Sequence, residues 1–186
     1  MTLNDSGAIT DGVTATMSAG RELADHGGIF GEVVAELRGP DGELKARSVT
    51  HNLITSVGDQ YYAGRAALPS SLPAQVTGFK LGTGSTAPAK SGAGAALVTY
   101  LSNSHQADDG SFPTAAAGVV THKVTYAAGK ATTASAITEV VLVTDTLADA
   151  TSTAANTISR ALLSGIGSKG ASDTLTVTWT HTLLGA

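Results

Sequence analysis

Cysteine is absent from all 186 residues, which removes disulfides, thiolate metal sites and cysteine nucleophiles together and leaves the redox compartment unmarked. Charge is scarce as well. Asp, Glu, Lys and Arg make up 14% of the chain, where about a quarter is usual, and eleven Lys and Arg against fifteen Asp and Glu leave a net charge of -4. That balance argues against a surface for wrapping nucleic acid or a polybasic membrane anchor, so neither partner is expected. Aromatic residues are only 4%. The opening Met1–Ser6 has no basic region and no apolar run after it, so neither a signal peptide nor a membrane span is read there, and the chain is expected to be made and kept in a cytoplasm.

What is abundant is small: 22 Gly, with long runs of Ala, Thr and Ser. From Thr2 to about Gly28 no period of 2 or 3.6 is sustained, which predicts an extended N-terminal arm over 1–28 that orders against a partner. The length suits one further domain, 29–186, with a core that needs no staples.

In Glu32–Arg38 the residues Val33, Ala35 and Leu37 alternate with charged or exposed positions, the mark of a half-buried strand. Gly39-Pro40-Asp41-Gly42 is a turn, and Glu43–Val49 returns as the second strand of a hairpin. Between Asn52 and Leu68 the spacing of Leu53, Val57, Tyr61 and Leu68 switches to that of a helix. It is placed around residues 53–67, with Asn52 or Thr55 as cap and the prolines after Leu68 as its end. Strands are expected at Val76–Leu81, His122–Tyr126, Ala136–Thr144 and Thr157–Leu163, with an exposed loop at Ser102–Pro113 and a further loop at Asp145–Ala155. In Thr174–Leu183 every even position through Thr182 is Thr, while Leu175, Val177, Trp179 and Leu183 take odd ones. One face of that strand is therefore buried and the other is a threonine ladder. Short strands at even spacing with one helix predict an all-β, mostly antiparallel β-sandwich, with a small β-barrel as the alternative.

The segment Leu81–Ser91, LGTGSTAPAKS, nearly spells two nucleotide-binding loops. Gly82, Gly84 and Ala87 fit G-x-G-x-x-G/A, and Gly84 to Lys90-Ser91 misses the G-x-x-x-x-G-K-[ST] loop only at Ala89. Both need a helix to begin at the glycines, and Pro88, Gly92 and Gly94 stand where it should propagate. A wide turn between strands accounts for the segment instead, with Asp108 and Asp109 in a loop rather than at the strand end a dinucleotide site uses. Of the histidines His26, His51, His105, His122 and His181, no two have the spacing of metal ligands, and Gly165–Gly170 lacks the Ser placement of a nucleophile elbow. Glu139 is the one carboxylate in the apolar strand Ile137–Val143; a structural pairing with Arg160 in the neighbouring strand is favoured over an acid/base role. Trp179 reads as core filling. No catalytic residue, cofactor or metal is expected.

The order of these segments resembles a family of tailed-bacteriophage virion proteins. It runs Asn52-Leu53-Ile54-Thr55, then Leu81–Pro88 with its Gly-Thr-Gly, Ile137-Thr138-Glu139-Val140, Ile158-Ser159-Arg160-Ala161-Leu162, and Asp173–Trp179. The resemblance spans about Asn52 to Leu183 and implies a β-rich, non-enzymatic part of a phage head or tail. It implies localisation in the virion after assembly in the host cytoplasm, with copies of itself and other virion proteins, the major capsid or tail proteins, as partners. A homo-oligomer, with a trimer or closed ring as natural symmetry, is the expected form. Head decoration is the first expectation and a minor tail or tail-fibre-associated role the second. A carbohydrate- or receptor-binding module and a hydrolase built on Glu139 or His105 are the remaining rivals; the first is weakened by the lack of aromatics for stacking sugars.

Overall fold

A computed structural model describes residues 29–183. The expected arm over 1–28 lies outside the described residues. Among the described residues nine strands and one α-helix run in the order β1 (Phe30–Arg38), β2 (Leu44–His51), β3 (Leu53–Ile54), α1 (Ser56–Ala67), β4 (Gly78–Gly82), β5 (Thr114–Ala116), β6 (Val119–Tyr126), β7 (Glu139–Val143), β8 (Thr157–Leu162) and β9 (Thr174–Thr182). They form two sheets, β2-β1-β9-β6-β5 and β3-β8-β7-β4, every pair antiparallel. Neither sheet closes on itself, so the fold is a β-sandwich and not a barrel.

One core fills the space between the sheets. Val33, Ala35 and Leu37 of β1 and Leu175, Val177 and Trp179 of β9 face Phe79 and Leu81 of β4, Val140 and Leu142 of β7, and Ala161 of β8. The alternation read from the sequence is what aims them there, because successive side chains of a strand point to opposite faces. Trp179 is fully buried and meets the Phe79 ring edge to face, centroids 5.6 Å apart. Along β9 the threonines take the other face, each half-exposed.

The four-stranded sheet is covered on both sides. Every residue of β4 and β7 is buried, as are Thr157–Ala161 of β8. On the face away from the core, Leu97 packs with Val141 and Val143, flanked by Tyr100 and Leu147. Strands buried on both faces read as continuous apolar runs, which is why Ile137–Val143 showed no alternation.

The helix begins three residues later than its spacing suggests. Leu53 and Ile54 pair with Arg160 and Ser159 of β8 as a short strand, and Thr55 then caps α1, its hydroxyl accepting from the Gly58 N–H at 3.0 Å. Gly58 permits close contact between helix and sheet: a Cβ there would lie 2.2 Å from the Ile158 carbonyl oxygen. The loop 102–113 is also less exposed than its polarity suggests. Ser104 is buried and its hydroxyl bridges the N–H and carbonyl of Leu81 at 3.0 and 3.1 Å. Asp108 and Asp109 accept from the backbone N–H groups of Lys123 and Thr125, at 3.1 and 3.0 Å.

Candidate functional site

The sequence placed its chemical candidates in four places: the glycine segment, Glu139, the histidines and Trp179. The fold brings the first two together. Strand β4 ends at Gly82, and β7, its neighbour, starts at Glu139 directly opposite. The Glu139 carboxylate turns away from the core, under the corner that follows β4. Its Oε1 accepts from the N–H of Gly84 at 3.0 Å and of Thr99 at 2.8 Å; its Oε2 accepts from the N–H of Val98 at 3.2 Å. Arg160, one strand further on β8, donates to Oε2 through Nη2 at 2.7 Å and Nε at 3.2 Å. Its Nη1 reaches the carbonyl oxygens of Thr86 at 2.6 Å and Gly94 at 3.4 Å. Both side chains are wholly buried.

The glycines therefore have a steric reason. A Cβ on Gly82 or on Gly84 would stand 2.5 Å from Glu139 Oε1, closer than nonbonded contact permits. Backbone N–H groups converge here on an anion, as in a phosphate loop, but the anion is the chain's own carboxylate. No helix starts at the glycines; residues Gly92–Ala95 make a single 3-10 turn. Lys90, which would have served a phosphate, pairs with Asp59 at 2.8 Å on the surface. With five hydrogen bonds to its two oxygens and no solvent access, Glu139 has neither the free lone pair nor the exposure that acid/base catalysis requires.

The histidines are dispersed. His26 lies outside the described residues, and His51 is exposed at the end of β2. His122 is buried and its Nδ1 donates to Asp108 Oδ2 at 2.9 Å. His181 is buried on the inner face of β9, with the Tyr62 hydroxyl against Nδ1 and the Asn52 amide nitrogen 3.0 Å from Nε2. Burial, helped by the charge of His122, holds its pKa down at about 3, so it is a neutral core group at physiological pH.

His105 belongs to a surface cluster. Its Nδ1 lies 3.2 Å from the Tyr100 hydroxyl, which donates to Asp149 Oδ1 at 2.8 Å; the Asn103 N–H donates to the same oxygen at 2.6 Å. That N–H and then the Tyr100 hydroxyl lower the Asp149 pKa, while partial burial and Asp149 raise that of Tyr100. An ordinary nucleophile is missing from these contacts: Ser104, the neighbouring hydroxyl, is turned inward onto Leu81. Among the described residues no group of three or more His, Asp and Glu side chains is placed to hold a metal.

Two features were not read from the sequence. Lys80, fully buried on β4, donates to Asp145 Oδ2 at 3.3 Å and to the Ala150 carbonyl at 3.0 Å, which anchors the loop after β7. A cleft of about 310 Å³ between α1 and the β7–β8 end is lined by Val57, Gln60, Tyr61, Pro73, Thr144 and Ile158 among others. Among the described residues no acid or cation lines it, so these residues can seat a neutral or apolar group but supply no acid, base or charge. The apolar spacing of Val57 and Tyr61 was the one available hint, and it was equally the mark of a helix packing on a sheet.

Comparison with protein-family models, with curated proteins and with solved structures finds no match to this chain.

Proposed function

We propose that the chain is a non-enzymatic structural protein of a tailed-phage virion, a head-decoration protein that stabilises the capsid surface. One observation carries the reading beyond the resemblance in segment order. The residues that make up that resemblance, Gly82 and Gly84, Glu139 and Arg160, meet in one buried lock and hold a loop. They are residues that specify a fold, as expected of a family without catalytic residues. The buried state of Glu139 supports the same reading, since it withdraws the strongest enzymatic candidate from solvent. A subunit of this kind acts by surface complementarity, adding buried area across its neighbours and shifting the assembly equilibrium by mass action.

Microscopy of purified particles with the protein labelled tests this. Many copies over the head support decoration, and a few at the tail end move the role to a minor tail protein. Absence from particles overturns both.

A further inference from the structure

A sandwich of two open sheets has four edge strands, and each edge offers unpaired backbone groups to any strand that approaches. Among the described residues, one of the four is closed by the chain itself and two are too short to offer a ladder. The outer edge of β4 is occupied by Gln106, which exchanges two hydrogen bonds with Phe79 at 2.8 and 3.0 Å, and by the Thr83–Thr99 and Leu101–Leu81 bonds at 2.9 Å. Strand β3 is two residues long. Strand β5 is three residues long, and the rest of β6 beside it is covered by Asp108 and Asp109.

Strand β2 differs. The Asn52 N–H donates to the Gly31 carbonyl, and because ladder bonds alternate in an antiparallel pair, Thr50 and Ser48 also face β1 while Arg47, Val49 and His51 turn their backbone groups outward. Among the described residues these outward groups have no backbone partner; the His51 carbonyl has only a 3.4 Å contact from the Thr50 hydroxyl. Val49 is 46% exposed. A cation normally guards such an edge, but Arg47 is tied back to Glu36 at 3.3 Å and Lys45, in the bulge that ends the regular pairing, to Asp173 at 3.0 Å.

We propose that β2 is a homodimer edge: two copies pair antiparallel through β2 about a two-fold axis at Val49, joining their five-stranded sheets into one. The outer face is self-complementary in that register. Val34 lies opposite Val49 within one copy, Glu36 opposite Arg47, and Glu32 opposite His51. Across the axis Val49 meets its own symmetry mate, which makes a central row of four valines. On each side a row runs Glu36, Arg47, then His51 and Glu32 of the second copy, so that carboxylates bracket the cation. Three residue pairs exchange roughly six N–H···O bonds. Three paired residues a copy are far fewer than the roughly 20–30 residues a side of a standard interface, so the free dimer is a weak one, micromolar to millimolar. This inference rests on the sheet geometry and stands apart from the virion reading, which particle microscopy tests separately.

Sedimentation equilibrium of the full chain decides it. The mass should rise from 18.5 kDa towards twice that as concentration approaches millimolar. Val49→Pro deletes an outward N–H without removing an internal bond, so it should weaken dimerisation tenfold or more with unchanged circular dichroism; Val49→Thr should not. Since the chain has no cysteine, oxidised Val49→Cys should form a covalent dimer, and Thr178→Cys, in mid-sheet, should not. A wild type that stays monomeric, a Val49→Pro variant that still dimerises, or a Val49→Cys variant that does not cross-link overturns the proposal; so does occupancy of the edge by any other segment, which blocks the cross-link. If Val49→Pro fails to fold, Val49→Glu, which sets two carboxylates on the axis, should be monomeric, and a dimer would overturn it.

Discussion

The two sheets obey the same alternation of side chains and use it in opposite ways. In the five-stranded sheet one face meets the core and the other meets water, so polar residues go outward: Thr176 beside Glu36 and Thr180 beside Glu32. In the four-stranded sheet both faces are covered, and the charges that remain are trapped. Glu139 with Arg160, and Lys80 with Asp145, survive there because each finds a partner within 3.3 Å and further backbone groups to bond. A charge on an open sheet face is a solvent-facing detail. The same charge between a sheet and the loop that covers it becomes the pin that holds the loop.

The difference is sharpest at Glu139. Replacing it with Ala strands a buried guanidinium and three N–H groups, and should cost about 3–5 kcal/mol in urea unfolding. Removing both members as Glu139→Leu with Arg160→Met should cost less than Glu139→Ala alone, since no charge is then left unpaired. Next comes the glycine corner. Gly84→Ala pushes a methyl against Glu139 Oε1 and should lose up to about 3 kcal/mol. That loss should shrink in a Glu139→Ala background; equal losses in both would show that the carboxylate is not the obstacle.

Within the five-stranded sheet the inner face of β9 should respond to acid and the outer face should not. His181 takes up a proton near pH 6.5 when unfolded and only near about 3 when folded. The unfolded state thus binds more protons between those values, and stability should fall as pH drops through that window. The expected loss between pH 7 and pH 5 is about 2 kcal/mol. His181→Phe should flatten this part of the pH profile, and an unchanged slope would assign it elsewhere. Smallest of all, Thr178→Val on the solvent face should change stability by no more than about 0.5 kcal/mol.

Much of the five-stranded sheet was legible in the sequence. The hairpin of β1 and β2 and the whole of β9 announce themselves, because half-burial writes a period of 2 into Val33, Ala35 and Leu37 and into Leu175, Val177 and Trp179. The Glu139–Arg160 pair was legible for the opposite reason: a lone carboxylate in an apolar run must be answered by a cation nearby. Leu53 and Ile54 were absorbed into the helix since two residues cannot show a period, and β5, at Thr114–Ala116, was missed for the same reason. Lys80 gave no warning, as its acid lies 65 residues away. Ser104, Asp108 and Asp109 were assigned to an exposed loop. Each bonds a backbone group of β4 or β6, and backbone partners leave no trace in residue type; the side-chain partners His122 and Thr125 lie on a strand whose place beside the loop is set by the fold.

The Glu139 carboxylate also sets how the covering loop can open. It collects the amides of Gly84, Val98 and Thr99, positions at the two ends of one excursion, onto a single residue. Neither end can lift while the other stays bonded without leaving a buried charge short of donors. In native-state hydrogen exchange these three amides should share one opening free energy and one sensitivity to denaturant, so the excursion from Thr83 to Thr99 breathes as a single cooperative unit.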